Sequence, residues 1–107
     1  MIRHCVFIRF NAQTARAERE AIFAAVHALK GIIPGIVEIR TGTNNSPEGL
    51  DKGFSDGFIV DFEDAAARDR YLSDPDHAKV GARIVAAAEG GLEGLLVFDL
   101  DWRGTSA

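Results

Sequence analysis

Segments that alternate between apolar and polar residues are twice interrupted by segments with helical spacing, and this order constrains the fold more than any other feature of the sequence. Alternation with a period of two is typical of strands, and apolar residues at i, i+3, i+4 and i+7 are typical of amphipathic helices. The pattern predicts the order strand, helix, strand, strand, helix, strand. The predicted strands are residues 2–10, 36–41, 54–63 and 92–100.

The first helix is predicted by Ile22, Val26 and Leu29, which recur at helical spacing after the first strand. Thr14 is the expected N-cap, because its hydroxyl could accept a backbone N–H of the first turn. Gly31 is placed where a residue in the left-handed conformation would end the helix. We therefore expect one amphipathic helix between the first two strands.

The second helix is predicted to be broken. Asp64 is a suitable cap for a first piece that ends near Leu72, and Asp74 followed by Pro75 begins a second piece that runs to about residue 89. An aspartate accepts the free N–H groups of a helix start, and proline is tolerated at the first helical position. The sequence thus predicts two consecutive helices in place of one.

The whole order, βαββαβ, fits a chain of 107 residues, which is the length of a single domain. Short connections favour the α+β class, with a four-stranded antiparallel sheet and all helices on one face, the ferredoxin-like topology. The other face is then left bare. An exposed apolar patch of this kind indicates a partner, and we expect a homodimer joined through this face. Its predicted apolar residues are Cys5, Phe7, Leu96, Phe98 and Leu100.

Composition excludes several classes of partner. Twelve basic against sixteen acidic side chains give a net charge of −4, which disfavours binding to nucleic acid because that binding needs clustered Lys and Arg. The sequence contains no apolar stretch of the ~20 residues that a membrane-spanning helix requires. Its single cysteine, Cys5, cannot form an intrachain disulfide, and we recognise no secretion signal. We expect a cytoplasmic protein without nucleic-acid or membrane partners.

The candidate site residues are two histidines and their polar neighbours. His77 follows Asp74 by three residues in the first turn of a helix, where the helix dipole favours a neutral imidazole that can accept a proton; the alternative is that it caps or packs. His4, on an apolar strand face, is more typical of a core residue with a buried partner. Asp99 is a candidate partner for either histidine, and Tyr71 supplies a hydroxyl group nearby.

No metal or cofactor site is predicted. The three histidines lack the close spacing of metal ligands, and Cys5 points to the strand face opposite His4. The glycines at 42, 49 and 53 lack both the spacing and the strand-to-helix context of a phosphate-binding loop. We therefore expect neither a catalytic metal nor an organic cofactor.

Five stretches in order carry a family resemblance, and they cover nearly the whole chain. The Tyr-Leu-x-Asp-Pro-x-His portion is the most specific of them. Together they resemble the stress-responsive alpha/beta barrel (Dabb) family, which implies one domain over residues 1–103 with a short tail at 104–107, and a homodimer whose two sheets close into a barrel. The stretches are RHCVFIRF at 3–10, IPGI at 33–36 with the Gly-Asn loop at 42–45, GFIVDFED at 57–64, YLSDPDHAKV at 71–80 and VFDL at 97–100.

The resemblance also carries implications for activity. One plant branch of the family consists of polyketide cyclases that work by aldol condensation without metal or cofactor. The resemblance implies His77 as general base, with Tyr71 and His4 in the same pocket and Asp99 close to the base. We therefore expect His77 and Tyr71 as catalytic residues and His4 and Asp99 as ligand-binding residues.

The chain departs from that branch in its first helix, where Ala25 and Val26 replace bulky groups. We therefore expect a protein that takes a small organic molecule in a pocket between sheet and helices, either as a binding protein or as a cofactor-independent enzyme of the cyclase or lyase type. The alternative is a non-enzymatic stress or structural dimer with no substrate. A pocket of about 300 to 1,000 Å³ would favour the first hypothesis, and a filled core the second.

Overall fold

In a computed structural model that describes residues 1–102, the chain forms a four-stranded antiparallel sheet with three α-helices packed on one face. The elements are β1 (Ile2–Ile8), α1 (Arg16–Ala28), β2 (Ile36–Thr43), β3 (Asp56–Phe62), α2 (Ala65–Leu72), α3 (Pro75–Ala87) and β4 (Leu95–Asp101). Short 3₁₀ turns at Leu29–Gly31 and Gly91–Gly94 follow α1 and precede β4. The predicted tail, 104–107, lies outside the described residues. Over the described part of the chain, none of the helices is long and apolar enough to cross a membrane.

The strands lie in the order β2-β3-β1-β4, and every neighbouring pair is antiparallel. This is the ferredoxin-like α+β fold that the periodicity predicts. β1 is central, so each of its residues has a partner on both sides. His4, for example, is paired with Val60 on β3 and with Asp99 on the edge strand β4.

Several details at the ends of elements differ from the prediction. Gly31 does not end the first helix in a left-handed conformation: it closes the 3₁₀ turn that follows α1, and its φ is not positive. Thr14 is not the N-cap of α1: the cap is Ala15, and the Thr14 hydroxyl lies 3.0 Å from the carbonyl oxygen of Ala87, so it links this loop to the end of α3. β4 begins at Leu95, three residues later than expected, because the chain first passes through left-handed conformations at Gly90 and Gly91 and through the 3₁₀ turn that Gly91 begins.

The two faces of the sheet differ as the alternation predicts. The face toward the helices carries the core of the protein, in which Ile8, Val60 and Phe62 are completely buried. The opposite face, called the open face below, exposes Leu96, Phe98 and Leu100 by 42 to 49 %. Cys5, also on this face, is buried because Ile59 and Phe98 on the neighbouring strands flank it.

One glycine fixes how closely the start of β2 approaches α2. Gly35 has a φ of +92°, and a Cβ at this position would meet Cβ of Ala67 at 2.6 Å. Only glycine permits both the left-handed backbone and this close approach. Gly35 therefore sets the position of α2, which carries Tyr71 of the candidate site.

Candidate active site

The break between α2 and α3 brings two of the predicted site residues together. The Asp64 carboxylate caps α2 by accepting from the Ala67 N–H at 2.9 Å, and Asp74 caps α3 by accepting from the Asp76 N–H at 2.8 Å. Tyr71 lies in the last turn of α2 and His77 in the first turn of α3. Their rings pack with 4.2 Å between centroids, so the two caps determine this contact.

His4 approaches the same cluster from the sheet. Its ring packs edge to face on that of Tyr71, with 5.7 Å between the ring centroids. Its Nδ1 donates to Oδ1 of Asp99 at 2.7 Å. The sequence left open which histidine pairs with Asp99, and in the structure it is His4. The reason is strand register, because His4 and Asp99 are directly opposite each other on β1 and β4. The hydrogen bond fixes the proton of a neutral His4 on Nδ1, since an ionised carboxylate can only accept.

Arg68 is a site residue that the sequence analysis did not identify. From α2 its Nη1 donates to Oδ2 of Asp99 at 2.8 Å, and its Nε donates to Asp69 at 2.9 Å. Arg68 and Tyr71 are three residues apart and therefore lie on neighbouring parts of one helix surface. That spacing was the available signal, but an arginine on a helix is ordinarily solvated. Each oxygen of Asp99 thus has its own donor.

The surroundings change the acid–base properties of three groups. Desolvation raises the pKa of Asp99, but the hydrogen bonds from Arg68 and His4 outweigh it and the net shift is downward, so the carboxylate stays ionised. Desolvation is the largest cause that lowers the pKa of His77, and electrostatic interaction with His4 lowers it further; a hydrogen bond with the Leu72 backbone and the charge of Asp74 act in the opposite direction. Burial raises the pKa of Tyr71, whose phenol therefore stays protonated.

A cavity of about 240 Å³ lies between the sheet and α3, beside the two histidines. Both His4 and His77 line it, whereas Tyr71 is fully buried behind them. Nδ1 of His77 is buried, and among residues 1–102 no group makes a hydrogen bond of regular geometry with it. The remaining lining is almost wholly apolar and consists of Val6, Phe58, Leu72, Gly81, Ile84, Val85, Leu95 and Val97.

A second and larger cavity, of about 530 Å³, lies on the open face beneath the loop that joins β2 to β3. Its lining includes Phe7, Leu50 and Leu96 and none of the predicted site residues. The loop is held in place by Asp51, which accepts from the Gly53 N–H and the Ser55 hydroxyl, each at 2.9 Å. The sequence indicated this loop only as a connection, so the cavity was missed.

The cluster has the groups for proton transfer and lacks those for metal binding. His77 is a neutral imidazole at an apolar cavity, and His4 is an imidazole oriented by a carboxylate. In the part of the chain that the structure describes, no three His, Cys, Asp or Glu side chains are grouped to hold a metal ion. The third histidine, His27, is exposed on α1, and its Nε2 lies 3.1 Å from the Thr41 hydroxyl oxygen. It is not part of the cluster.

Comparison with solved structures gives the same fold. A dimeric ferredoxin-like protein of unknown function from Jannaschia sp. CCS1 is 31 % identical, with a TM-score of 0.87 over 94 % of this chain and 98 % of that one. A hydroxynitrile lyase from Passiflora edulis is 23 % identical (TM-score 0.86, covering 99 % and 96 %). SnoaB, a cofactor-independent oxygenase from Streptomyces nogalater, is 21 % identical (TM-score 0.75, covering 98 % and 95 %). The comparison with curated proteins found no match.

A family model supplies the assignment. The model of the Stress responsive A/B Barrel Domain, Dabb, matches residues 2–101, which include every strand and helix of the fold and all five site residues described above. The match and the fold agree with the resemblance carried by the five sequence stretches. The chain therefore belongs to the stress responsive A/B barrel domain family.

Proposed function

We propose that this protein is a homodimeric enzyme that binds a small organic molecule between sheet and helices and moves a proton on it without metal or cofactor. The observation that carries the proposal is that two imidazoles line one apolar cavity in different states. His4 is tied to a carboxylate at 2.7 Å, whereas Nδ1 of His77 is buried without a regular hydrogen bond. His77 lines the cavity and is half-buried, so its ring can contact a bound molecule.

His77 is the proton acceptor in this proposal. Its lowered pKa keeps the ring neutral near pH 7, so it can take a proton from an acidic O–H or C–H of the substrate. His4 is the polar contact that orients the substrate. The proton taken by His77 is returned to the product or the leaving group, so the enzyme ends each cycle unchanged.

The cavity limits the size and polarity of the substrate. Its volume of about 240 Å³ is below the range of roughly 300 to 1,000 Å³ typical of drug-sized ligands. An apolar lining with two imidazoles favours a small, largely apolar molecule with one or two oxygens. Two neighbours of the same fold support such chemistry, since one is a hydroxynitrile lyase and the other a cofactor-independent oxygenase.

Assembly with a second copy belongs to the proposal. The open face exposes Leu96, Phe98 and Leu100, and the protein from Jannaschia sp. CCS1 that is 31 % identical is described as dimeric. A monomer would leave this apolar face in water, which costs free energy in proportion to its area. Association through this face leaves the histidine cavity, on the other side of the sheet, unobstructed.

The test combines binding with turnover of three probes, an aromatic cyanohydrin, an aliphatic cyanohydrin and a 1,3-diketone. In D₂O, NMR follows cleavage of each cyanohydrin, in which the O–H proton is removed and cyanide leaves to give a carbonyl compound and HCN. For the diketone it follows hydrogen–deuterium exchange at the central carbon.

We expect at least one probe to react, and His77→Gln to lower its rate about 10²- to 10⁴-fold. His27→Gln, a change of the exposed histidine, is the matched control and keeps the full rate. Equal rates for the His77→Gln and unaltered proteins would overturn the role of His77. If no probe reacts, none shifts the histidine signals and the protein purifies without a bound molecule, the non-enzymatic dimer is the correct hypothesis.

A further inference from the structure

Arg68 holds the far oxygen of Asp99. Its Nη1 donates to Oδ2 at 2.8 Å, while Oδ1 accepts from Nδ1 of His4 at 2.7 Å. The three side chains are 23 %, 21 % and 5 % exposed, so the chain of contacts runs from the edge of the fold to its interior. Asp99 is on the edge strand β4, where a carboxylate without Arg68 could turn to solvent.

Occupation of both oxygens restricts the rotation of the carboxylate. Rotation of the Asp99 carboxylate out of its present orientation would break the contact with Arg68, whose guanidinium comes from α2 and also donates to Asp69 at 2.9 Å. Hydrogen bonds between charged groups are roughly twice as strong as those between neutral ones. The Arg68 contact therefore opposes any exchange of partners between the two histidines.

We propose that Arg68 is a positioning residue, which holds Asp99 on His4 and so keeps the His4 proton on Nδ1 and leaves Nε2 as the acceptor for a molecule in the cavity. The proposal does not need the protein to be an enzyme, and it rests on the proposed function only for its effect on turnover. A simple tether between α2 and β4 would hold the two elements together but would not determine which nitrogen of His4 carries the proton.

The substitution Asp99→Asn distinguishes an Arg68 that positions Asp99 from an Arg68 that only tethers α2 to β4. In Asp99→Asn the arginine can donate only to the amide oxygen, so the amide nitrogen must face His4 and donate to its Nδ1. The His4 proton then moves to Nε2. In Asp99→Asn/Arg68→Met the amide is free to present either its oxygen or its nitrogen to His4, so the Nδ1–H tautomer is populated again beside Nε2–H. Arg70→Met is the matched control, because Arg70 is an exposed arginine on the same helix.

The measurement is the ¹⁵N chemical shift of the His4 ring nitrogens at alkaline pH, where imidazoles are neutral. We expect the Nδ1–H tautomer in the unaltered protein, the Nε2–H tautomer in Asp99→Asn and in Asp99→Asn/Arg70→Met, and a mixture of the two tautomers in Asp99→Asn/Arg68→Met. An Asp99→Asn protein that keeps Nδ1–H, or a double variant that matches Asp99→Asn, would overturn the proposal.

A second measurement covers the case in which Asp99→Asn does not fold. Exchange of the His4 Nδ1 proton with water is expected to be about tenfold faster in Arg68→Met than in the unaltered protein, as loss of a charge-assisted hydrogen bond implies. Arg68→Lys retains a donor and is expected to restore slow exchange, and Arg70→Met to leave it unchanged. Equal exchange in all four proteins contradicts the proposal. If turnover is absent while the tautomer pattern holds, only the proposed enzymatic function fails.

Discussion

Tyr71 packs its phenol ring against the imidazole of His77, with 4.2 Å between the ring centroids, and is itself fully buried. The same ring contacts His4 edge to face at 5.7 Å. Tyr71 therefore supports both histidines from behind while the cavity lies in front of them. Its contribution to the site is the fixed position of two imidazoles, and its contribution to the fold is that of a large core residue.

Tyr71→Ala is expected to destabilise the protein by about 3 to 5 kcal/mol, the cost of removing a buried aromatic ring. Tyr71→Phe keeps the ring and is expected to cost less than about 1.5 kcal/mol, because its volume is nearly conserved. Urea unfolding of both variants gives the free energies. Equal losses would show that the hydroxyl, not the ring, holds the cluster together.

The two histidines are expected to differ in stability when each is replaced by alanine. His77 is half-buried and Asp74 already caps α3, so His77→Ala should change the free energy of unfolding by no more than about 1 kcal/mol. His4 is buried and bonded to Asp99, so His4→Ala leaves a carboxylate oxygen without its donor, at a cost of about 1 to 3 kcal/mol. The denaturant midpoints of the two variants compare these losses in stability. A larger loss for His77→Ala would mean that His77 is a core residue and would count against its role as proton acceptor.

The lowered pKa of His77 predicts a dependence of stability on pH. Between the folded-state pKa of this group and its ordinary value of about 6.5, the unfolded chain binds more protons than the folded one, so stability falls as the pH falls. The contribution is fully present above the ordinary value and is lost as pH decreases through the folded-state value. Urea midpoints measured from about pH 7.5 to about pH 5.5 should decrease less in His77→Gln than in the unaltered protein. Parallel curves would show that the pKa of His77 is not lowered.

Much of the fold could be predicted because each helix and strand is indicated by a pattern of residues within its own segment. Alternation in β1 and helical spacing in α1 identify elements, and Asp64 and the Asp74–Pro75 pair identify two helix starts. The sequence also limited the partner of Asp99 to two histidines, His4 and His77. His4 and Asp99 both lie on predicted strands, and only the register between β1 and β4 was needed to pair them. Local pattern thus determines the order of elements and the starts of α2 and α3, whereas the bounds of the strands differ from the prediction by up to three residues.

The remaining features depend on the space between elements. In the sequence, Arg68 is indistinguishable from any other charged residue on the surface of a helix. It becomes a partner of Asp99 only because α2 approaches the edge strand β4. The cavity depends on the gap between α3 and the sheet, which no short stretch of sequence encodes. Thr14 shows the same limit at a smaller scale, because its hydroxyl contacts Asn11 and, from another element, the Ala87 carbonyl instead of the start of α1.

The open face predicts the assembly state and a way to change it. Phe98 is 42 % exposed and packs against Phe7, with 6.0 Å between their ring centroids, so the two rings form an apolar surface on β4 and β1. Light scattering at micromolar concentration should report about twice the 11.6 kDa of one chain. Phe98→Glu should give a folded monomer, because a pair of like charges in a buried apolar interface is strongly unfavourable. Ile32→Glu, a charge at an exposed apolar residue outside the sheet, is the matched control and should leave the dimer intact. A monomeric unaltered protein, or a Phe98→Glu protein that stays dimeric, would mean that the chains do not associate through this face.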